Sequence, residues 1–348
     1  MKTETDFVYN IWYFAGLITD LGKNNMMRRV IAGEPIVLGL TQGGDAFALR
    51  DICLHRAAPF SSGQIIQDTV ECPYHGWRFD VKNGACTHIP ALTKDQTLET
   101  ERIKLRRFPV RVHGPMIWIY IADPDGPQQE PMIDPPHIIG ARGRPRMDDA
   151  IVLNCHVDHG VIGLMDPAHG PFVHRQWWWR SERSIHEKQK AFEPRERGFA
   201  MIRHTPSSNS FAYKLLGGKP QTEIIFALPG IRTEHIQVGK KFVLSFTAVT
   251  PIDQDRTHIR QIFFTDMILL KFLAPFLGGF SRRFLRQDGD MVDLQQMGLR
   301  YNPNLMLIDD ADTQAKWYYG LKKNWKAAKG NPRNFQNPVK ARILKWRS

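Results

Sequence analysis

The chain is short of cysteine: among 348 residues only Cys53, Cys72, Cys86 and Cys155 occur. So few thiols in so long a chain exclude a disulfide-stapled scaffold and point to metal binding or plain burial. No apolar run reaches the ~18–20 residues that a membrane-spanning helix needs. The N-terminal MKTETDFVYNIWYF lacks the basic start, apolar core and small-residue cleavage site of a secretory leader, so a soluble cytoplasmic protein is expected. No internal repeat or low-complexity tract is present. The net charge of +12 comes without a nucleic-acid-binding motif. Its basic residues are spread along the chain, with a modest concentration after Lys316. That reads as a solvated surface, and no nucleic-acid partner is expected. What is there is globular composition, 42% hydrophobic and 24% charged, at a length that suits two domains each with its own core.

The first ~120 residues read as short β segments (PIVLGL, AFALRDI, MIWIYIA) separated by turns such as GGD and KNG. Residues 122–146 are rich in Pro and Gly without an apolar period, the composition of a segment crossing between domains. This gives a domain over 1–122, a linker over 123–146 and a second domain over 147–348. The second domain mixes strand-like runs (EIIFALP, FVLSFTAV, HIRQIFF, with PIDQDRT as a turn) and helix-like runs (DHGVIGLMDPAH, MILLKFLAPFLGGFSRRFL, LRQDGDMVDLQQMGL). Strands grouped with helices on one side predict an α+β domain.

The strongest local signal is Cys53-Leu-His55, sixteen residues, then Cys72-Pro-Tyr-His75. Each of two short loops offers one thiolate and one imidazole. A Rieske [2Fe–2S] cluster needs this division, because one iron takes two Cys and the other two His. The competing reading is a structural zinc site on the same four ligands, but common zinc motifs group Cys with Cys and His with His. Cys86 and Cys155 fall outside the pattern and read as buried apolar residues.

Downstream lies Asp166-Pro-Ala-His169-Gly-Pro-Phe-Val-His174. Two His and one carboxylate on one face of a metal, with the opposite face open, is the ligand set of non-heme Fe(II) oxygenases. The carboxylate candidates are Asp288, Asp290 and Asp293 in Leu285-Arg-Gln-Asp-Gly-Asp-Met-Val-Asp. On a helix Asp288 shares a face with Phe284, Leu285, Met291, Val292 and Gln295. A carboxylate there is costly unless its charge is satisfied, as a metal would do. Asp290, four residues after Arg286, reads as a solvated ion-pair residue, and Asp293 is off the apolar stripe. His156 and His159 compete for the metal on spacing alone.

On the CLHR and CPYHGWRFD loops, the DPAHGPFVH segment and the late QDxD segment, the chain resembles the large (α) subunits of Rieske non-heme iron ring-hydroxylating oxygenases over nearly its full length. The resemblance implies an all-β [2Fe–2S] domain followed by a helix-grip α+β catalytic domain. It implies a cluster on Cys53, His55, Cys72 and His75 and mononuclear Fe(II) on His169, His174 and Asp288. It also implies a homotrimer in which Asp166 bridges an iron-ligand histidine to a cluster histidine of the neighbouring subunit. One departure is Gly163, where many relatives carry Asn. No part resembles an NAD fingerprint, a flavin domain or a second ferredoxin. Electrons from NAD(P)H are therefore expected through a separate reductase or ferredoxin, and the positive net charge suits an acidic one.

The expected reaction is O2-dependent hydroxylation of a hydrophobic ring compound, with oxidative demethylation of a small methoxyaromatic compound as the alternative. A protein of another class, an iron–sulfur electron carrier or redox sensor, would have a degenerate second site. Trp177–Trp179 read as packing between domains or as an entrance. The apolar run 267–285 reads as a core helix or as a cover over the pocket that touches a membrane surface peripherally. A well-placed Arg in the pocket would favour an acidic substrate, and an apolar lining a ring lipid.

Overall fold

In the computed structural model the described residues are 6–22, 24–126, 130–174, 185–206 and 218–348, and side chains at 269, 271–278 and 280 are excluded. Trp177–Trp179 lie outside the described residues. Two compact units divide between His137 and Ile138, and the chain start through Tyr9 groups with the second.

The first unit is all β. Runs of Ile, Val, Leu and aromatic residues form its strands, as their β-branching and bulk favour. β1 (Ile11–Leu17), β9 (Val110–His113) and β10 (Met116–Ile121) make one sheet in the order β1-β10-β9; β2 (Met26–Ile31), β3 (Glu34–Leu40) and β4 (Ala46–Arg50) make another. A four-stranded meander follows, of β5 (Gln64–Ile66), β6 (Thr69–Glu71), β7 (Arg78–Asp80) and β8 (Cys86–His88). Its core joins Val37, Leu49, Phe60, Val70 and Phe79 to the thiols of Cys53, Cys72 and Cys86.

The second unit is built on an eight-stranded antiparallel sheet. Its strands are β11 (Met147–Leu153), β12 (Glu187–Arg195), β13 (Gly198–His204), β14 (Gln221–Ala227), β15 (Ile231–Val238), β16 (Lys241–Pro251), β17 (Thr257–Thr265) and β18 (Arg342–Arg347). Their spatial order is β11-β17-β16-β15-β14-β13-β12-β18, so a C-terminal strand closes one edge. The helices among the described residues are α1 (Val157–Met165), the single turn α2 (Gly170–Val173), α3 (Ile268–Leu299) and α4 (Thr313–Ala327). The two helical runs read in residues 267–299 are one continuous helix, and α4 has no counterpart in the sequence reading.

Glycines let α1 and α3 approach the sheet. A Cβ at Gly160 would lie 3.2 Å from Thr257 Cγ2 and 3.3 Å from Val249 Cγ1; one at Gly289 would lie 3.1 Å from Ile151 Cδ1. On the same face Phe226 meets Tyr318 of α4, and Phe199 meets Trp317.

α1 is tethered at its N-terminal end. Asp158, 7% exposed, accepts hydrogen bonds from Tyr318 Oη at 2.6 Å and from Lys322 Nζ at 2.7 Å. Lys322, 4% exposed, also reaches Asp6 Oδ2 at 2.8 Å. Trp325 Nε1 donates to the Tyr9 carbonyl at 2.9 Å, and the Phe7 ring stacks on His156. One cation of the basic C-terminal region is therefore buried, where the sequence reads as solvated surface. Removing one partner of a buried pair strands the other charge. Lys322→Met is expected to cost about 3–5 kcal/mol, read from the midpoint of a urea titration. An unchanged midpoint would show that the pair carries no such weight.

Candidate metal centres

Two loops of the first unit have matching backbones. Cys53 N–H donates to the Ala58 carbonyl and Ala57 N–H to the Cys53 carbonyl; Cys72 N–H donates to Trp77 and Gly76 N–H to Cys72. In each, the residue four after the cysteine has positive φ, +58° at Ala57 and +70° at Gly76. Gly76 takes this conformation freely, and a Cβ there would lie 3.0 Å from Pro90 Cγ. Ala57 adopts it at some steric cost.

Each loop buries its cysteine and turns its histidine outward. The imidazoles of His55 and His75 lie 4.5 Å apart between centroids, and the Trp77 ring stacks on His55 at 4.9 Å. Burial pushes the Cys53 thiol up, and the neighbouring Cys72 thiol adds to this. Its proton therefore leaves most readily when a metal takes its place. Desolvation, with the charges of His55 and Arg56, holds the His75 imidazole below its ordinary range, in the neutral form that ligates. Two buried thiols beside two accessible imidazoles fit a [2Fe–2S] group. Cys86 and Cys155 are both buried and reduced, and burial raises both thiols, Cys155 to about 11.

The second constellation begins where α1 stops. Pro167 disfavours helical geometry in the residue before it, and Asp166 is extended (φ −63°, ψ 117°) at the helix end. Its Oδ1 accepts the Ala168 N–H at 2.7 Å, and its Oδ2 lies 3.5 Å from His169 Nδ1. At that separation the contact is an ion-pair neighbourhood rather than a full hydrogen bond, and Nδ1 is otherwise a buried atom without a partner among the described residues. α2 then spans the gap between His169 and His174 and brings their Nε2 atoms to 3.2 Å. Asp288 of α3 completes the group, its Oδ1 3.1 Å from His174 Nε2 and 3.7 Å from His169 Nε2. One donor atom from each of the three lies within 4.8 Å of the others, a two-histidine, one-carboxylate cluster.

Burial raises the pKa of Asp166, but the adjacent His169 imidazole and the Ala168 N–H outweigh it and leave the carboxyl below its usual range. Burial lowers the pKa of His169, and the facing carboxylates of Asp166 and Asp288 reverse this to a net rise.

α3 contributes more than Asp288. Phe284 stacks on the His174 ring at 3.4 Å between centroids, and Gln287 Oε1 lies 3.2 Å from His174 Nδ1. Sequence reasoning missed the role of Gln287, although it directly precedes Asp288. The buried stripe of α3 is Leu285, Gly289 and Val292, while Met291 and Gln295 are exposed. Asp288 thus sits at the margin of that stripe rather than among the whole expected set.

Asp290 is exposed, and Asp293 accepts from Asn154 Nδ2 at 3.3 Å. His156 and His159 lie at the other end of α1, where burial holds both imidazoles below their ordinary range. A Cβ at Gly163 would meet no described atom within 4 Å beyond its own helix.

Residues 11–109 match the Rieske [2Fe-2S] domain family. Over 176 residues the chain is 33% identical to the oxygenase component of dicamba O-demethylase from Stenotrophomonas maltophilia, covering 49% of this chain and 48% of that one. Over 172 residues it is 32% identical to chloroplastic chlorophyllide a oxygenase from Chlamydomonas reinhardtii, covering 47% and 24%. The matches span no more than about half the length of these curated relatives. The fold extends further: the crystal structure of dicamba monooxygenase bound to dicamba superposes with a TM-score of 0.71, at 22% identity, over 92% of this chain and 99% of that one. The chain is thus an α+β protein with an N-terminal Rieske domain and a large β-rich second domain. Residues 11–109 carry the Rieske domain, and over 92% of its length the chain shares the fold of the dicamba monooxygenase structure.

Proposed function

We propose that the chain is the terminal oxygenase of a multicomponent Rieske system. The observation that carries this reading is the convergence of His169, His174 and Asp288 in the same chain as the two Cys/His loops. Cys53, His55, Cys72 and His75 would hold the cluster, and the three convergent residues a mononuclear iron. When bound, the cluster would store and pass single electrons and the Fe(II) ion would activate O2 beside the substrate.

The chain's own groups prepare the second centre. Both imidazoles present Nε2 to the common centre, which leaves Nδ1 as the protonated nitrogen in each. Asp166 faces Nδ1 of His169 with a negative charge, and Gln287 faces Nδ1 of His174 with a neutral carbonyl. The two ligands are held by unlike partners, so their basicities differ. Gln287→Leu is expected to weaken Fe(II) binding about 10–100-fold in anaerobic chelator competition. Gln287→Glu, which keeps the acceptor, should restore it, and equal affinity in all three proteins would rule the role out.

Electrons would come from a separate reductase or ferredoxin. In a homotrimer Asp166 would link His169 to a cluster histidine of the next subunit. Hydroxylation of a hydrophobic ring compound is the first reading, supported by the likeness to chlorophyllide a oxygenase. Oxidative demethylation is the second, supported by the likeness to dicamba O-demethylase. The carrier or sensor reading needs a degenerate second site, and the three convergent donors weigh against it. The apolar run 267–285, in the first part of helix Ile268–Leu299, is the segment with which a peripheral membrane contact would be made, and no helix among the described residues is long and apolar enough to cross a membrane.

The test is iron, zinc and acid-labile sulfide on anaerobically purified protein, with EPR after dithionite reduction. Two sulfides per chain, a Rieske-type signal and one iron beyond the cluster are the expected result. Zinc without sulfide would overturn the assignment.

A further inference from the structure

Cross-strand neighbours project from the same side of a sheet, so the register sorts the second unit's sheet into two faces. The face turned to α1 and α3 carries Leu153, Ile151 and Val249 beneath those helices. One row further along, Asp149 pairs with Gln261, Gln261 with Thr247, and Thr247 with Arg232. In the row beyond stand Ser245 and Glu234. The opposite face of the same strands carries Leu244, Phe246, Ala248, Ile262 and Phe264, all buried. The polar residues therefore lie on the side that the helices cover, the reverse of a sheet with one solvated face.

Part of this polar strip satisfies itself. Arg232 Nη2 lies 3.2 Å from Glu234 Oε2, and Gln261 Nε2 donates to Ser245 Oγ at 3.3 Å. Two atoms are left over. Thr247 is 1% exposed and Asp149 8% exposed, and among the described residues neither Thr247 Oγ1 nor Asp149 Oδ2 has a hydrogen-bond partner. The other oxygen of Asp149 lies 3.5 Å from Arg282 Nε. A buried polar atom without a partner is destabilising, a cost a bound molecule can remove.

The strip is also placed to meet a substrate held at the iron-ligand cluster. Arg282 and Asp288 are six residues apart on α3, about 9 Å along the axis. Asp149 and Thr247 are two strands apart, about 9–10 Å. Those spans match a bicyclic ring rather than an extended lipid. We infer that Asp149 and Thr247 are specificity-determining residues that recognise a polar edge of the substrate, and that the substrate is a ring compound carrying an O–H or N–H donor on the side away from the oxidised carbon. An ionised carboxylate only accepts, so it selects a donor; the threonine hydroxyl adapts to either role. This inference rests on the oxygenase reading and narrows it, since the strip so described is neither wholly apolar nor built around an unpaired arginine.

The experiment measures anaerobic equilibrium binding of 2-naphthol, 2-methoxynaphthalene and naphthalene to the iron-loaded, cluster-containing protein. The EPR signal of its nitric oxide adduct reports whether the probe lies beside the iron. Wild type is expected to bind 2-naphthol at least about 10-fold more tightly than either donor-free ring, the equivalent of one satisfied hydrogen bond. Thr247→Val, which keeps the shape, and Asp149→Leu should each remove most of that preference while binding naphthalene as before. Asp149→Asn, which keeps an acceptor, should retain part of it. Equal binding of the three probes, or an unchanged preference in both Thr247→Val and Asp149→Leu, overturns the inference with the oxygenase reading intact. Absence of the Rieske and nitric oxide signals from the wild type would instead remove the reading on which it rests.

Discussion

Asp288→Ala protein is expected to lose one iron per chain while its acid-labile sulfide and Rieske EPR signal stay unchanged. Asp288 is the carboxylate of the three-residue cluster, and its Oδ1 lies nearer to both Nε2 atoms than a solvated side chain would. Without it two imidazoles remain, and two neutral donors neither balance a divalent charge nor define the open face of the metal. The scaffold should survive, because Leu285, Gly289 and Val292 hold α3 to the sheet independently of the carboxylate. Substrate oxidation should fall at least about 100-fold, the upper end of what loss of even an outer partner of a metal ligand costs. Asp290→Ala, at an exposed position on the same helix, is the control and should keep full iron content. Full iron content in Asp288→Ala would sink the ligand assignment.

Cys72→Ala is expected to have the converse effect. Acid-labile sulfide, the visible absorption of the cluster and the Rieske signal should all vanish, while the nitric oxide adduct of the mononuclear iron persists. Cys72 lies in the buried core of the first unit with Cys53, Phe60, Val70 and Phe79, so no solvent-exposed group can readily replace its thiolate. The residues of the second cluster all come from the other unit and should keep their metal. Cys86→Ala makes the matching control. Cys86 shares the same core, but its Sγ is occupied by the His88 carbonyl at 3.8 Å and lies on no cluster loop. Sulfide retained in Cys72→Ala, or lost in Cys86→Ala, would reassign the cluster ligands.

Much of this was legible in the amino-acid order. PIVLGL lies within β3, AFALRDI and MIWIYIA overrun the ends of β4 and β10 by two residues and one, and PIDQDRT is the turn between β16 and β17. Each reads correctly because alternation, branching and turn residues act over a few positions. α4 did not: its apolar face is interrupted by Lys322, whose burial makes sense only beside Asp158 and Asp6. The two runs read as meeting at Leu285 are one helix, and Gly289 within the second run is a packing residue against Ile151.

By itself the sequence determined the two Cys/His loops and the Asp166–His174 segment. Their donors are a few residues apart, and short-range backbone geometry, an extended residue before Pro167 or a positive φ at Gly76, sets their relation. Only the tertiary structure decided how Asp288 and Gln287 approach His174, and which face of the sheet holds Asp149, Thr247 and Arg232. Those relations join residues up to more than a hundred positions apart. The sheet relations depend on strand register, and a shift of one residue would turn Asp149, Thr247 and Arg232 to the opposite face.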